Sequence, residues 1–314
     1  MPQARGELTK LLFQYQTAAR TAPAPAAKVL PFTSYSIGRD PKRQANGTMN
    51  NSPLGNKTDP GNPIVPGQLQ SIFDLRTIGY LLKLLLGQPV TTGAGPYVHT
   101  FPVNLDDRPY ALLELAQYDI SKFNRTLDAH LNKLAWDVTN NDQNITADFL
   151  AGEEIDPIPT VVFDAAPTSV VSFRACSASG VISDGAGSTL GQVVDGKIEI
   201  NNNMAPLELA NGVPGYSIFP VGELMFSGSI KCVFDGASAW ELARAGTSTR
   251  LKMVSAATIG ANTFSLAVDM PYVELMEKTV PKAGRSGLFA ELSWKAVTGA
   301  TLPTVVLTND VVSY

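Results

Sequence analysis

Two short segments constrain this fold more than anything else in the chain. GQLQSIFD at residues 67–74 aligns without gaps with GSIKCVFD at 228–235, an offset of 161. Gly67 meets Gly228, Leu69 meets Ile230, Ile72 meets Val233, Phe73 meets Phe234 and Asp74 meets Asp235. HTFPV (99–103) then matches NTFSL (262–266) at an offset of 163, and NNSPL (50–54) loosely matches NMAPL (203–207). Each half closes on a similar strand pattern, TADFLAG (146–152) and FAELSWKA (289–296). Short matches also arise by chance among β-rich sequences. The order and spacing of the four features carry the reading of an internal duplication, with domains at 1–157 and 158–314 divided near Pro157.

The repeated segment is a strand running into a helix. Asp74 is placed to cap a helix over 75–86, with Gly87 and Pro89 ending it. Ile78, Leu81, Leu82 and Leu85 hold i, i+3, i+4, i+7 spacing, and Leu84 and Leu86 widen that stripe. Such a helix presses onto a sheet and is a candidate to touch another subunit. Its apolar run, broken by Gly79 and Lys83, is far below the ~20 residues of a membrane span. ASAWELARAG (237–246), preceded by Asp235, is the second helix candidate.

Elsewhere short β-rich runs alternate with Gly, Asn and Asp. VLPFTSYSI reads as a strand, TTGAGPYVHTFPV as a hairpin, and LNKLAWDV with NITADFLAG as another. SASG (177–180) reads as a loop. GRDPKRQANGTMNNSPLGNKTDPGNP, residues 38–63, has almost no apolar anchors and reads as a long excursion. An excursion of this kind becomes ordered against a neighbour in an oligomer. Its Arg39, Lys42, Arg43, Asn50, Asn51, Asn56, Lys57 and Asp59 are the candidates for inter-subunit or inter-ring contact.

Motifs for chemistry are missing. The net charge of -4 comes with no basic stripe, so a nucleic acid would pass this chain rather than be gripped by it. His99 and His130 stand apart, and Cys176 and Cys232 are 56 residues apart with no CxxC and no His nearby, so no metal-ligand motif is present. Two reduced thiols or one disulfide both fit. Asp106/Asp107 and Glu153/Glu154 sit in turn-like contexts as solvated charges, and GAGP (93–96) and DGAGSTLG (184–191) lack a phosphate-loop setting. No catalytic residue, metal or cofactor is expected, and the polar N-terminus MPQARGELTK lacks a signal-peptide core.

MPQARGELTKLLFQYQT, GPYVHTF and TLPTVVLTNDVVSY resemble the major tail tube proteins of long-tailed, siphovirus-type bacteriophages. That resemblance implies a mainly β fold with a few short helices: two similar tail-tube-type β-sandwich or barrel domains, each flanked by a helix. It implies a virion structural protein, assembled in the host cytoplasm, whose rings stack into a hollow tube. Genomic DNA would pass through the lumen without sequence-specific binding, around a tape-measure protein, with tail terminator and distal tail proteins as further partners. A duplicated chain would build a homotrimeric ring with pseudo-sixfold symmetry, where an unduplicated one needs a hexamer. The alternative is a β-sandwich adhesin or carbohydrate-binding module of the tail tip.

Overall fold

The computed structural model describes residues 5–49, 53–140, 142–155, 157–183, 189–210, 212–233, 238–259, 262–276 and 289–314. The first half contributes strands β1 (Thr9–Tyr15), β2 (Lys28–Leu30), β3 (Ser34–Tyr35) and β4 (Val65–Ile72), then helix α1 (Ile78–Leu86). It continues with β5 (Val90–Thr92), β6 (Tyr97–Phe101), β7 (Ala111–Gln117), β8 (Lys122–Val138), β9 (Asn144–Ala151) and β10 (Glu153–Glu154). The second half adds β11 (Thr168–Ser169), β12 (Ser177–Ser183), β13 (Thr189–Asn201) and β14 (Met225–Val233). Helix α2 (Ser238–Ala245) follows, then β15 (Thr249–Ile259), β16 (Asn262–Met276), β17 (Phe289–Ala296) and β18 (Thr304–Asn309). The chain is mainly β, organised on a large sheet.

Strand β8 is the spine. Its first part pairs with β7 and its second with β9 and β13, so one strand serves two sheet segments. The change of partner falls around Asp128, which takes φ 54. Asp128 is held there by the Gln16 side chain and the Arg20 backbone N–H, both donating to its carboxylate. These bonds favour the charged form of Asp128, yet burial dominates and raises its pKa.

In the second half six strands close on themselves in the order β12–β13–β14–β17–β16–β15 and back to β12. Closure removes most of the edges that would otherwise seek partners, but β15 pairs with β16 only as far as Val273. SASG therefore lies in a strand, not a loop: small residues let β12 close the circuit, and a Cβ on Gly180 would sit 2.7 Å from Val193. The two halves are also joined by ladders. β13 pairs with β8, and β18 lies between β6 and β16.

Helix α1 starts later than expected, at Ile78. The Asp74 carboxylate takes the N–H groups of Arg76 and Thr77, which organises a turn before the helix proper. Every α1 residue except Lys83 is buried within the chain itself. The leucine stripe is thus spent on β8 and β6, not on another subunit. VLPFTSYSI likewise divides, into β2 on β1 and β3 on β4, with Pro31 between them.

Trp136 and Trp294 are both 1% exposed and belong to one core cluster that runs through both halves. Cys232 is buried and Cys176 exposed, and no disulfide joins them.

Candidate assembly surface

Titratable groups inside the fold serve packing. His99 is fully buried, its Nδ1 2.8 Å from Thr91 Oγ1 and its Nε2 3.2 Å from Asn309 Oδ1. His130 stacks on Phe219 at 4.2 Å, and burial pushes its pKa down to about 4. Glu153 and Glu154 form strand β10, not a turn, and Glu154 Oε2 accepts the Arg39 N–H at 2.5 Å. Asp106 and Asp107 are exposed. Among the described residues no group of three or more His, Cys, Asp or Glu could hold a metal ion.

The prominent surface is a sheet. Eight strands follow one another in the order β3–β4–β9–β8–β13–β14–β17–β16, every neighbouring pair antiparallel. One face is the core. The other is polar and crosses the boundary between the halves without a break. Asp137, Asp148, Asp195, Glu199, Glu274 and Glu291 alternate there with Lys133, Lys197, Lys231 and Lys295. Lys133 Nζ lies 3.1 Å from Asp148 and 3.8 Å from Glu199, bridging β8 to strands of both halves.

Within that sheet the 161-residue offset holds on both strands of a ladder. Ser34 pairs with Gln70 as Asp195 pairs with Lys231, and Tyr35 with Leu69 as Gly196 with Ile230. The isolated bridge Asp40↔Ile64 answers Asn201↔Met225. The next residues also agree: Lys42 and Asn203 both take φ 44, and Gly61 and Gly222 each bring a Cα against the carbonyl of that residue. Added Cβ atoms would lie 1.9 Å from Lys42 O and 2.4 Å from Asn203 O.

The connection 41–63 therefore has an equal-length counterpart at 202–224. This register sets Asn203 to Leu207 against residues 42–46, and the looser match to NNSPL at 50–54 does not hold.

The counterpart is firmly docked. Asn202 Nδ2 donates to Leu85 O and Leu131 O, the Met204 N–H donates to Asn132 Oδ1, and Arg20 donates to Pro214 O and Tyr216 O. The first connection instead forms a hairpin-like arm whose base meets that counterpart, the Gly215 N–H donating to Asn62 Oδ1. The N–H and C=O groups of Gln44 and Asp59 bond reciprocally at 2.9 Å, and Asn56 reaches Thr48. Asp40 pairs with Lys42 at 3.3 Å, and Arg43, Lys57 and Asp59 are exposed, as is Met49 at 104%. Asn50 and Asn51 lie outside the described residues.

Of the repeated junctions, Gly67 and Gly228 occupy equivalent ladder positions, opposite Phe149 and Trp294. Phe73 is fully buried and Asp74 is 1% exposed, accepting from the Phe173 N–H as well. Phe234 and Asp235 lie outside the described residues. Docking of 202–224 was not anticipated from sequence. The signal was present in SYSIGRD (34–40) against DGKIEIN (195–201), where Ile37 meets Ile198 at the same offset.

Set beside known proteins, residues 6–296 match a family model described as phage tail tube protein. The chain belongs to the phage tail tube protein family. Comparison with curated proteins gave no match. As a tail tube protein the chain is a structural virion component of a family that assembles into a tube and is generally non-enzymatic. No helix among the described residues is long and apolar enough to cross a membrane.

Proposed function

We propose that this chain is the major tail tube subunit of a long-tailed, siphovirus-type phage. It assembles into rings that stack around a DNA conduit. The observation carrying this reading is the eight-strand antiparallel sheet, which runs from β3 at one side to the Glu274–Met276 end of β16 at the other, past the point where β15 pairs with β16. An even number of alternating strands lets copies join end to end with antiparallel pairing preserved. Three copies supply 24 strands, three times the eight of one chain. At about 4.8 Å per strand and a tilt of about 40°, such a barrel measures roughly 45–50 Å across its backbone.

The polar face then lines the lumen. Its six carboxylates against four lysines, with no arginine, leave phosphates little to hold. Tape-measure, terminator and distal tail proteins are the partners this role requires. The matched registers at 34–40/64–70 and 195–201/225–231 support an internal duplication, hence two tail-tube-like domains and a three-chain ring. Native mass measurement of isolated rings tests this: three copies are expected, and six copies overturn the ring stoichiometry.

A further inference from the structure

The ladder between β8 and β13 joins the two halves, and its partners have counterparts at the two open ends of the same sheet. One row crosses Gln68, Asp148, Lys133 and Asn201. The row displaced into the second half crosses Ser229, Ser293 and Met276, where described pairing stops. Subtracting the offset, Asn201 less 161 gives Asp40, the missing fourth member. Asp40 belongs to the strand edge at the opposite end of the sheet, bonded on one side to Ile64.

We infer that Asp40 of one copy pairs opposite Met276 of a second copy. The arm 41–63 of the first then docks on the second half of its neighbour, as 202–224 docks on the first half of its own chain. The inference deepens the ring assembly proposed above by naming the two edges that meet. Three further observations favour it. Met276 is an apolar side chain 47% exposed at the end of a polar sheet face. The equivalent of Arg43 is Met204, which is buried beside β8, so Arg43 would approach Glu274, an exposed acid two residues from Met276. The arm also presents Met49 fully to solvent, while its docked counterpart buries Met204 and stacks Phe219 on His130.

In the isolated chain the carboxylate of Glu154 takes the Arg39 N–H on this edge. Pairing between copies would release it, since a backbone carbonyl would take that place.

Directly opposed antiparallel residues have Cα atoms about 4.5–5.5 Å apart, within disulfide range. The test is the double variant Asp40→Cys/Met276→Cys in a Cys176→Ser background, assembled and then oxidised. A covalent series that stops at three chains is expected, with neither single variant cross-linking. Visible tubes without interchain cross-links, or a cross-link confined to single chains, overturn the inference while leaving the tube assignment intact. Should the cysteines block assembly, Arg43→Glu and Glu274→Arg decide the matter. Each alone should raise the concentration needed for assembly about tenfold, and the pair should restore it; no restoration overturns the inference. A wild-type chain that forms neither rings nor tubes overturns the assembly reading itself.

Discussion

Gly228 lies directly opposite Trp294 in the β14–β17 ladder, and a Cβ there would fall 2.8 Å from the indole and 1.9 Å from the Lys197 carbonyl oxygen. Gly67 is the ladder partner of Phe149, and a Cβ there would fall 2.3 Å from the Ile37 Cα. Both glycines let neighbouring backbone approach closely, and at Gly228 the Trp294 indole also lies against the gap. Gly228→Ala is expected to cost about 1–3 kcal/mol by overpacking. Urea unfolding checks it, and Gly67→Ala should give a loss of similar size.

Glu114 is fully buried, with the Arg125 Nε 2.6 Å from Oε2 and the Phe163 N–H donating to Oε1. Removing the cation strands a buried carboxylate. Arg125→Ala should destabilise the fold by about 3–5 kcal/mol, whereas pairing it with Glu114→Gln recovers much of that loss. Denaturation midpoints of the three variants decide this.

His130 gives the chain an acid sensitivity. Its folded pKa, about 4, lies below the ordinary value of 6.5, because burial disfavours the imidazolium. The unfolded chain therefore binds the proton more readily. The contribution is fully present above pH 6.5 and is lost as pH falls towards 4. That difference corresponds to roughly 3 kcal/mol at most. The unfolding free energy measured from pH 7 down to pH 4 should fall more steeply for the wild type than for His130→Phe. Equal slopes would contradict the assignment.

The lumen position proposed for the polar face is testable through transport. Replacing Asp148, Glu199 and Glu291 with lysine makes the polar face strongly cationic. Tails built from that variant should release DNA more slowly, with the delay relieved by salt. Release kinetics unchanged at low salt would place this face elsewhere.

The first strand–helix junction was legible in the sequence because Gly67, Phe73 and Asp74 meet local requirements. Helix α1 was visible in its leucine spacing. The continuous sheet was not legible, since nothing local says that β8 changes partners at Asp128 or that β13 returns to pair with it. SASG looked like a loop because small residues favour turns, and only the β12–β13–β15 neighbourhood gives them a strand to complete. The role of 202–224 was obscured for a similar reason. Its contacts with Leu85, Leu131 and Asn132 connect residues more than 70 positions apart.

Electron microscopy of the purified chain, alone and seeded with tail initiator proteins, tests the central claim most directly. Rings or stacked tubes with a hollow core and pseudo-sixfold outline are expected. A monodisperse monomer at high concentration that stays unassembled when seeded would contradict the account.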